Sequence, residues 1–336
     1  MNFYKILKPI LFTLPPEQAQ GLADYFLKHT ITPKIIKKIA YYENPALNTT
    51  FAGINVSNPI GLSAGWDKNC LLLPHLESFG FGYITGGTIT KNPRPGNPKP
   101  RMIRLTKEKG LVNSLGFPGY GLEKIEKVLS NTPSPKNNIK RILSVSGETI
   151  DDIHECHQRL EKFSSAIEIN ISSPNTEGIR IFQTKKMLNE LIIEINKDRT
   201  KPLFIKMPPY DVTSKNSNKK NILDLIKTCI DQNVEAITLA NTKPVNNHNL
   251  AVGKGGLSGS PLINNTISMV KEVYEVYGSY IDINACGGVS TGKQAFELLE
   301  SGASSVQIYT SIVYEGPSIV KKINRELVKQ FKTKRI

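Results

Sequence analysis

The residues best placed to do chemistry are a set of asparagine amides, two lysines and several small residues, each at the end of a short apolar run. One run closes in Ala64-Gly65-Trp66-Asp67-Lys68, another in Asn170, a third contains Lys206, and a fourth leads through Ala240 to Asn241-Thr242. Asn113, in the segment Asn113-Ser114-Leu115-Gly116-Phe117, adds a further amide. An amide pairs a donor with an acceptor, so several converging on one mouth can read the edge of an imide or ureide ring such as a pyrimidine. Lys68 and Lys206 can hold a carboxylate or a developing negative charge. The glycines of Gly255-Gly256-Leu257-Ser258-Gly259 and Gly287-Gly288, with Tyr309-Thr310, put small residues after the last runs, where backbone N–H groups can approach a phosphate. Ser172-Ser173-Pro174-Asn175-Thr176 follows the Asn170 run and also suits an ordinary helix start, a serine cap before proline.

The elements that must position these residues alternate along the chain. Eight apolar runs, at 59–64, 83–87, 141–146, 166–170, 203–207, 236–240, 281–285 and 305–309, are each followed by a helix-like stretch, as at 71–79 after the first. Strand and helix patterns in alternation call for a parallel sheet, and eight repeats over about 290 residues favour a closed (β/α)8 TIM barrel over an open doubly wound sheet. A Pro- and Gly-rich insertion at 89–138 is too long for an idle connection. Residues 210–221 are polar and read as a mobile surface loop, and the tail from Lys329 as a solvated basic end.

Residues 1–44 differ in kind. Phe3, Ile6, Leu7, Ile10 and Leu11 recur at helical spacing, a second stripe follows Pro15-Pro16, and Ile35, Ile36 and Ile39 sit among Lys34, Lys37 and Lys38. The expectation is a basic, amphipathic helical extension over 1–44 and a catalytic barrel over 45–336.

Composition excludes several classes. The 336 residues, 39% hydrophobic and 21% charged, can bury a core without staples. The four cysteines show no paired spacing and the five histidines no ligand array, so no metal is expected, and the compartment reads as reducing. No run suffices for a membrane span and no signal-type stretch opens the chain, which reads as soluble or peripheral. The net charge of +14 allows nucleic acid, an anionic membrane surface or an anionic small substrate. A single Trp, 7% aromatic residues and the lack of a recognised binding motif weigh against nucleic acid.

Together these residues resemble dihydroorotate dehydrogenase, a flavin enzyme family of pyrimidine synthesis, over essentially the whole chain. The resemblance is carried by NPIGLSAGWDK (58–68), GGTITKNPRPGNPKPRMIRL (86–105), NSLGF (113–117), INISSPNTEGIR (169–180), KGGLSG (254–259), GGVSTGKQAFE (287–297) and GASSVQIYTSIVYEGP (302–317). It implies FMN at the barrel mouth, contacted by Ala64, Gly65, Trp66, Asp67 and Lys68, by Thr88, Asn170, Lys206 and Ala240, and by Gly259, Gly288, Tyr309 and Thr310. It implies dihydroorotate, released as orotate, held by Lys68, Asn113, Ser114, Leu115, Gly116 and Phe117 and by Asn170, Asn175, Asn241 and Thr242. Ser173 matches the base that removes the C5 proton, and the insertion becomes part of the active-site cover.

Ser173 and the helical extension are similar to the quinone-using class. That class works at the cytoplasmic face of the cell membrane, so residues 1–44 are expected to lie on that surface and guide a quinone. LFIKMPPY (203–210), LSVSG (143–147) and FPG (117–119) look more like the soluble class, as do Ala240 in place of a usual Thr and Val145 in place of an Asn. The acceptor therefore stays open at this point between quinone and a soluble fumarate or NAD.

Overall fold

The computed structural model describes residues 4–29, 31–135, 139–172, 177–213 and 217–334. Eight parallel strands close into a barrel in chain order: β1 (Ile60–Leu62), β2 (Tyr83–Ile89), β3 (Lys140–Val145), β4 (Ala166–Asn170), β5 (Leu203–Lys206), β6 (Ala236–Leu239), β7 (Asp282–Cys286) and β8 (Ser305–Ile308). Each of the eight runs read from the sequence matches one strand, with ends that differ by at most two residues. Strands covered on both faces by barrel interior and surrounding helices need continuous apolar runs, which is what these segments are. β2 and β4 are buried throughout. Side-chain caps set the helices between them: Thr149, Thr184 and Thr291 each accept a backbone N–H from the first turn.

A short hairpin, Thr49–Phe51 with Ile54–Val56, was not read from the sequence and plugs the barrel floor. Phe51 sits 4.9 Å from the Tyr83 ring and 5.6 Å from Phe204, among Ile142, Ala166 and Ala236. The insertion is built rather than structureless. Its strands Met102–Leu105 and Gly110–Asn113 join Lys254–Gly259 and Lys243–Asn246 in a four-stranded antiparallel sheet at the mouth, and a helix, Leu122–Ser130, follows.

One expectation is corrected. Tyr210 is buried and donates to Glu272 at 2.9 Å, and a helix runs from Ser217 to Asp231, so 210–221 is not one mobile loop. The basic tail is exposed at Lys329, Lys332 and Lys334, as expected, and forms the outer end of the helix Ile319–Lys334, whose inner face buries Ile323 and Leu327.

The extension forms three helices, α1 (Tyr4–Thr13), α2 (Pro16–Lys28) and α3 (Ile31–Ala40). α2 starts with Pro16 at its first position and Glu17 in its first turn, and ends in Lys28, in keeping with the helix dipole. Leu27, Ile36 and Ala40 join the main core, while Ile6, Leu7, Ile10, Phe26, Ile31, Ile35 and Ile39 stay exposed. Phe3 lies outside the described residues.

Candidate functional site

A cleft opens at the C-terminal ends of the strands, roofed by the mouth sheet. From the strand ends, Ala64, Gly65, Lys68, Thr88, Asn170 and Lys206 line it; Ala240, Asn241, Thr242, Gly288, Tyr309 and Thr310 complete the circuit. The cover adds Asn113, Leu115, Gly116, Phe117 and Gly259. Three residues picked from the sequence sit elsewhere. Trp66 and Asp67 face a neighbouring chamber, and the Asp67 carboxylate accepts the N–H groups of Leu71 (2.9 Å) and Leu72 (2.6 Å), which folds its own loop. Ser114 is fully buried, its amide donating to Arg101 O. Ser173 and Asn175 lie outside the described residues.

The floor of the cleft is a hydrogen-bonded chain across four strands. Asn241 Nδ2 donates to Ser172 Oγ (2.9 Å), Ser172 Oγ donates to Asn170 Oδ1 (2.7 Å), and Asn170 Nδ2 donates to Thr88 Oγ1 (3.3 Å). Thr88 in turn shares a proton with Ser144 Oγ at 3.1 Å. With Asn170 and Thr88 buried, each of these groups needs its partner, so the chain fixes the amide orientations beside the segment that carries Ser173.

Lys206 is 5% exposed and makes no hydrogen bond or ion pair among the described residues. A buried cation that faces a cleft without a direct partner is suited to an electron-rich ligand. At the far side, Gly259 and Gly288 have φ of +94° and +84°. A Cβ would press Gly259 into the Lys109 carbonyl and Gly288 into the start of the helix Ile263–Tyr277, so only glycine permits this close cradle. A cradle of backbone beside a helix start, a buried cation and planar amides together fit a phosphate-bearing flavin.

Sequence reading missed Ser63, Met102, Lys109, Ser258, Gln307 and Tyr314, which also line the cleft. Gln307 lies one turn of the pleat below Tyr309 in β8 and was legible by alternation; Lys109, paired with Glu315 at 2.8 Å, depended on the unread mouth sheet. The helix α2 supplies a second set, since Glu17, Gln20 and Asp24 face the chamber next to Lys68.

Fold and site define a barrel enzyme whose cleft is lined by lysines, amides and glycines. The sequence model for dihydroorotate dehydrogenase matches residues 46–331, and the chain belongs to that family. A protein of Coxiella burnetii named dihydroorotate dehydrogenase (quinone) is 33% identical over 95% of both chains. One of the same name from Natronomonas pharaonis is 32% identical over 98% of this chain and 95% of its own. A crystal structure of DHODH from Eimeria tenella in complex with ferulenol superposes with a TM-score of 0.83 at 26% identity, covering 96% of this chain and 95% of that one.

Proposed function

We propose that the chain oxidises (S)-dihydroorotate to orotate in the synthesis of pyrimidines, with FMN as its cofactor and a quinone as final acceptor. The observation that carries this reading is the pair of lysines among strand-end amides: Lys206 without a direct counter-charge, and Lys68 at the edge of the same cleft. FMN, when bound, accepts the two electrons and passes them on. Gly259, Gly288 and Thr310 hold its phosphate, Thr88 and Asn170 meet its ring, and Lys206 sets a fixed positive charge where negative charge develops. Lys68 takes the substrate carboxylate, and Asn113, Asn170, Asn175, Asn241 and Thr242 read the ring edges. Ser173 takes the proton from C5.

The quinone reading rests on relatives that carry that name over nearly their full length, and on residues 1–44. The exposed apolar residues of α1 to α3, flanked by Lys5, Lys28, Lys34, Lys37 and Lys38, suit the surface of an anionic membrane at its cytoplasmic face. No helix among the described residues is long and apolar enough to cross a membrane. The test is anaerobic bleaching of the flavin by dihydroorotate, followed by parallel reoxidation with quinone, fumarate and NAD. Fast reoxidation by quinone alone is expected; fumarate or NAD outpacing quinone would refute the acceptor, and no bleaching would refute the reaction.

A further inference from the structure

Beside the cleft lies a second cavity of about 370 Å³, with α2 as one wall and the loop after β1 as the other. Glu17, Gln20, Asp24 and Lys28 face it from α2, and Trp66 to Lys68 with Arg101 face it from the barrel side. Lys68 belongs to both cavities, as do Leu115 and Pro118, and these three residues form the partition between them. Two contacts fix the helix in this place. Gln20 Nε2 donates to the carbonyl of Trp66 at 3.1 Å, and Arg101 donates Nε (3.0 Å) and Nη2 (2.9 Å) to Glu17 Oε1.

Two groups here lack direct partners among the described residues. Asp24 has a buried Oδ1 with no hydrogen bond, and the Lys68 ammonium makes no hydrogen bond or ion pair. They act on each other through the chamber. Burial disfavours the charge on Lys68 and lowers its pKa; Asp24, then Glu17, then Asp67 oppose this, and Arg101 adds to it. Burial likewise lifts Asp24 to about 6, against the pull of Lys68 and Lys28 and with the push of Asp67. Two of the three carboxylates that support Lys68 thus come from the helical extension, not from the barrel.

We propose that α2 is part of substrate recognition: Asp24, with Glu17 behind it, is a positioning residue that keeps Lys68 in its ammonium form at the cleft, ready for a carboxylate ligand. This rests on the reading of Lys68 given above. The extension is then more than a port for the acceptor, because it supplies counter-charge to the dihydroorotate side as well.

The test is the dissociation constant of orotate for the FMN-loaded protein, followed through the flavin spectrum from pH 6 to 10, for wild type, Asp24→Asn and Asp24→Glu. The ratio of variant to wild-type constants cancels the titration of orotate itself. Near pH 6 Asp24 is losing its own charge, so its replacement by Asn changes little and the ratio is expected at about one. At higher pH Lys68 in the Asn variant loses its proton earlier than in the wild type, and the ratio climbs several-fold above one. Asp24→Glu restores the wild-type curve. A ratio that is flat across the range, at one or at any other value, would overturn the proposal, since a packing role weakens binding alike at every pH. Wild-type protein that neither binds orotate nor bleaches with dihydroorotate would instead refute the function itself.

Discussion

Arg101→Ala removes the fork by which the mouth sheet grips α2, and its effect can be sized from the contacts. Arg101 donates four hydrogen bonds: two to Glu17 Oε1, one to Pro95 O at 2.9 Å and one to Asn97 O at 3.1 Å. Only the Glu17 pair crosses to α2; the other two hold the arginine within its own loop. With side-chain exposures of 12% for Arg101 and 26% for Glu17, the pair lies between a surface bridge of about 0–1 kcal/mol and a buried one of about 3–5. A docking loss of about 1–2 kcal/mol follows, or a 5- to 30-fold larger undocked population of α2, because 1.4 kcal/mol is about tenfold. Native-state hydrogen exchange reads this directly, as 5- to 30-fold faster exchange at the amides of Leu22 to Leu27 with the strands β2 to β4 unchanged. Arg101→Lys is not expected to restore protection, because an ammonium cannot form the same fork. Unchanged exchange in α2, or an equal rise throughout the barrel, would refute the clamp.

Ser173→Ala should retain FMN and orotate yet slow the bleaching by dihydroorotate on the order of 10²-fold, the scale of losing a general base; an unchanged single-turnover rate would return the serine to a helix-start role. Replacing Lys34, Lys37 and Lys38 together by Glu should weaken binding to anionic vesicles by two or more orders of magnitude, at about 1 kcal/mol per charge, and leave bleaching intact; sedimentation with vesicles measures it. Arg141→Met removes the 2.7 Å ion pair to Glu77, with both side chains under 10% exposed, and should cost about 3–5 kcal/mol in urea unfolding, mostly recovered by adding Glu77→Leu.

The barrel was legible because strands covered on both sides must be apolar from end to end, and eight such runs with helices between them admit few arrangements. Asn170 and Lys206 were legible for the same reason, as polar residues that end or interrupt runs with no room for them. No strand period foretells the residues that went elsewhere: consecutive Trp66 and Asp67 turn away from the cleft while Gly65 and Lys68, in the same loop, face it, and Ser114 is buried beside its cleft-facing neighbour Asn113. The mouth sheet was not legible, since it pairs residues 110–113 with 256–259 across more than 140 positions in segments too short and glycine-rich to show a period. Glu17 and Asp24 were not legible as neighbours of Lys68, because nothing local to α2 marks a carboxylate whose counterpart lies in the barrel.

The stitching of α1 to the barrel also orders events in time. Tyr4 Oη donates to the carbonyl of Val313 at 2.6 Å and Lys8 Nζ to that of Tyr314 at 3.2 Å, joining the first helix to positions more than 300 residues downstream. At about 5–20 residues per second, the ribosome needs roughly 15–60 s to deliver that far end after the first helix has been made. Throughout that interval α1 has no barrel to dock on, and its apolar stripe and lysines are free for any surface that accepts them. Nascent chains stalled before residue 300 should therefore float with anionic vesicles at least as well as the finished protein.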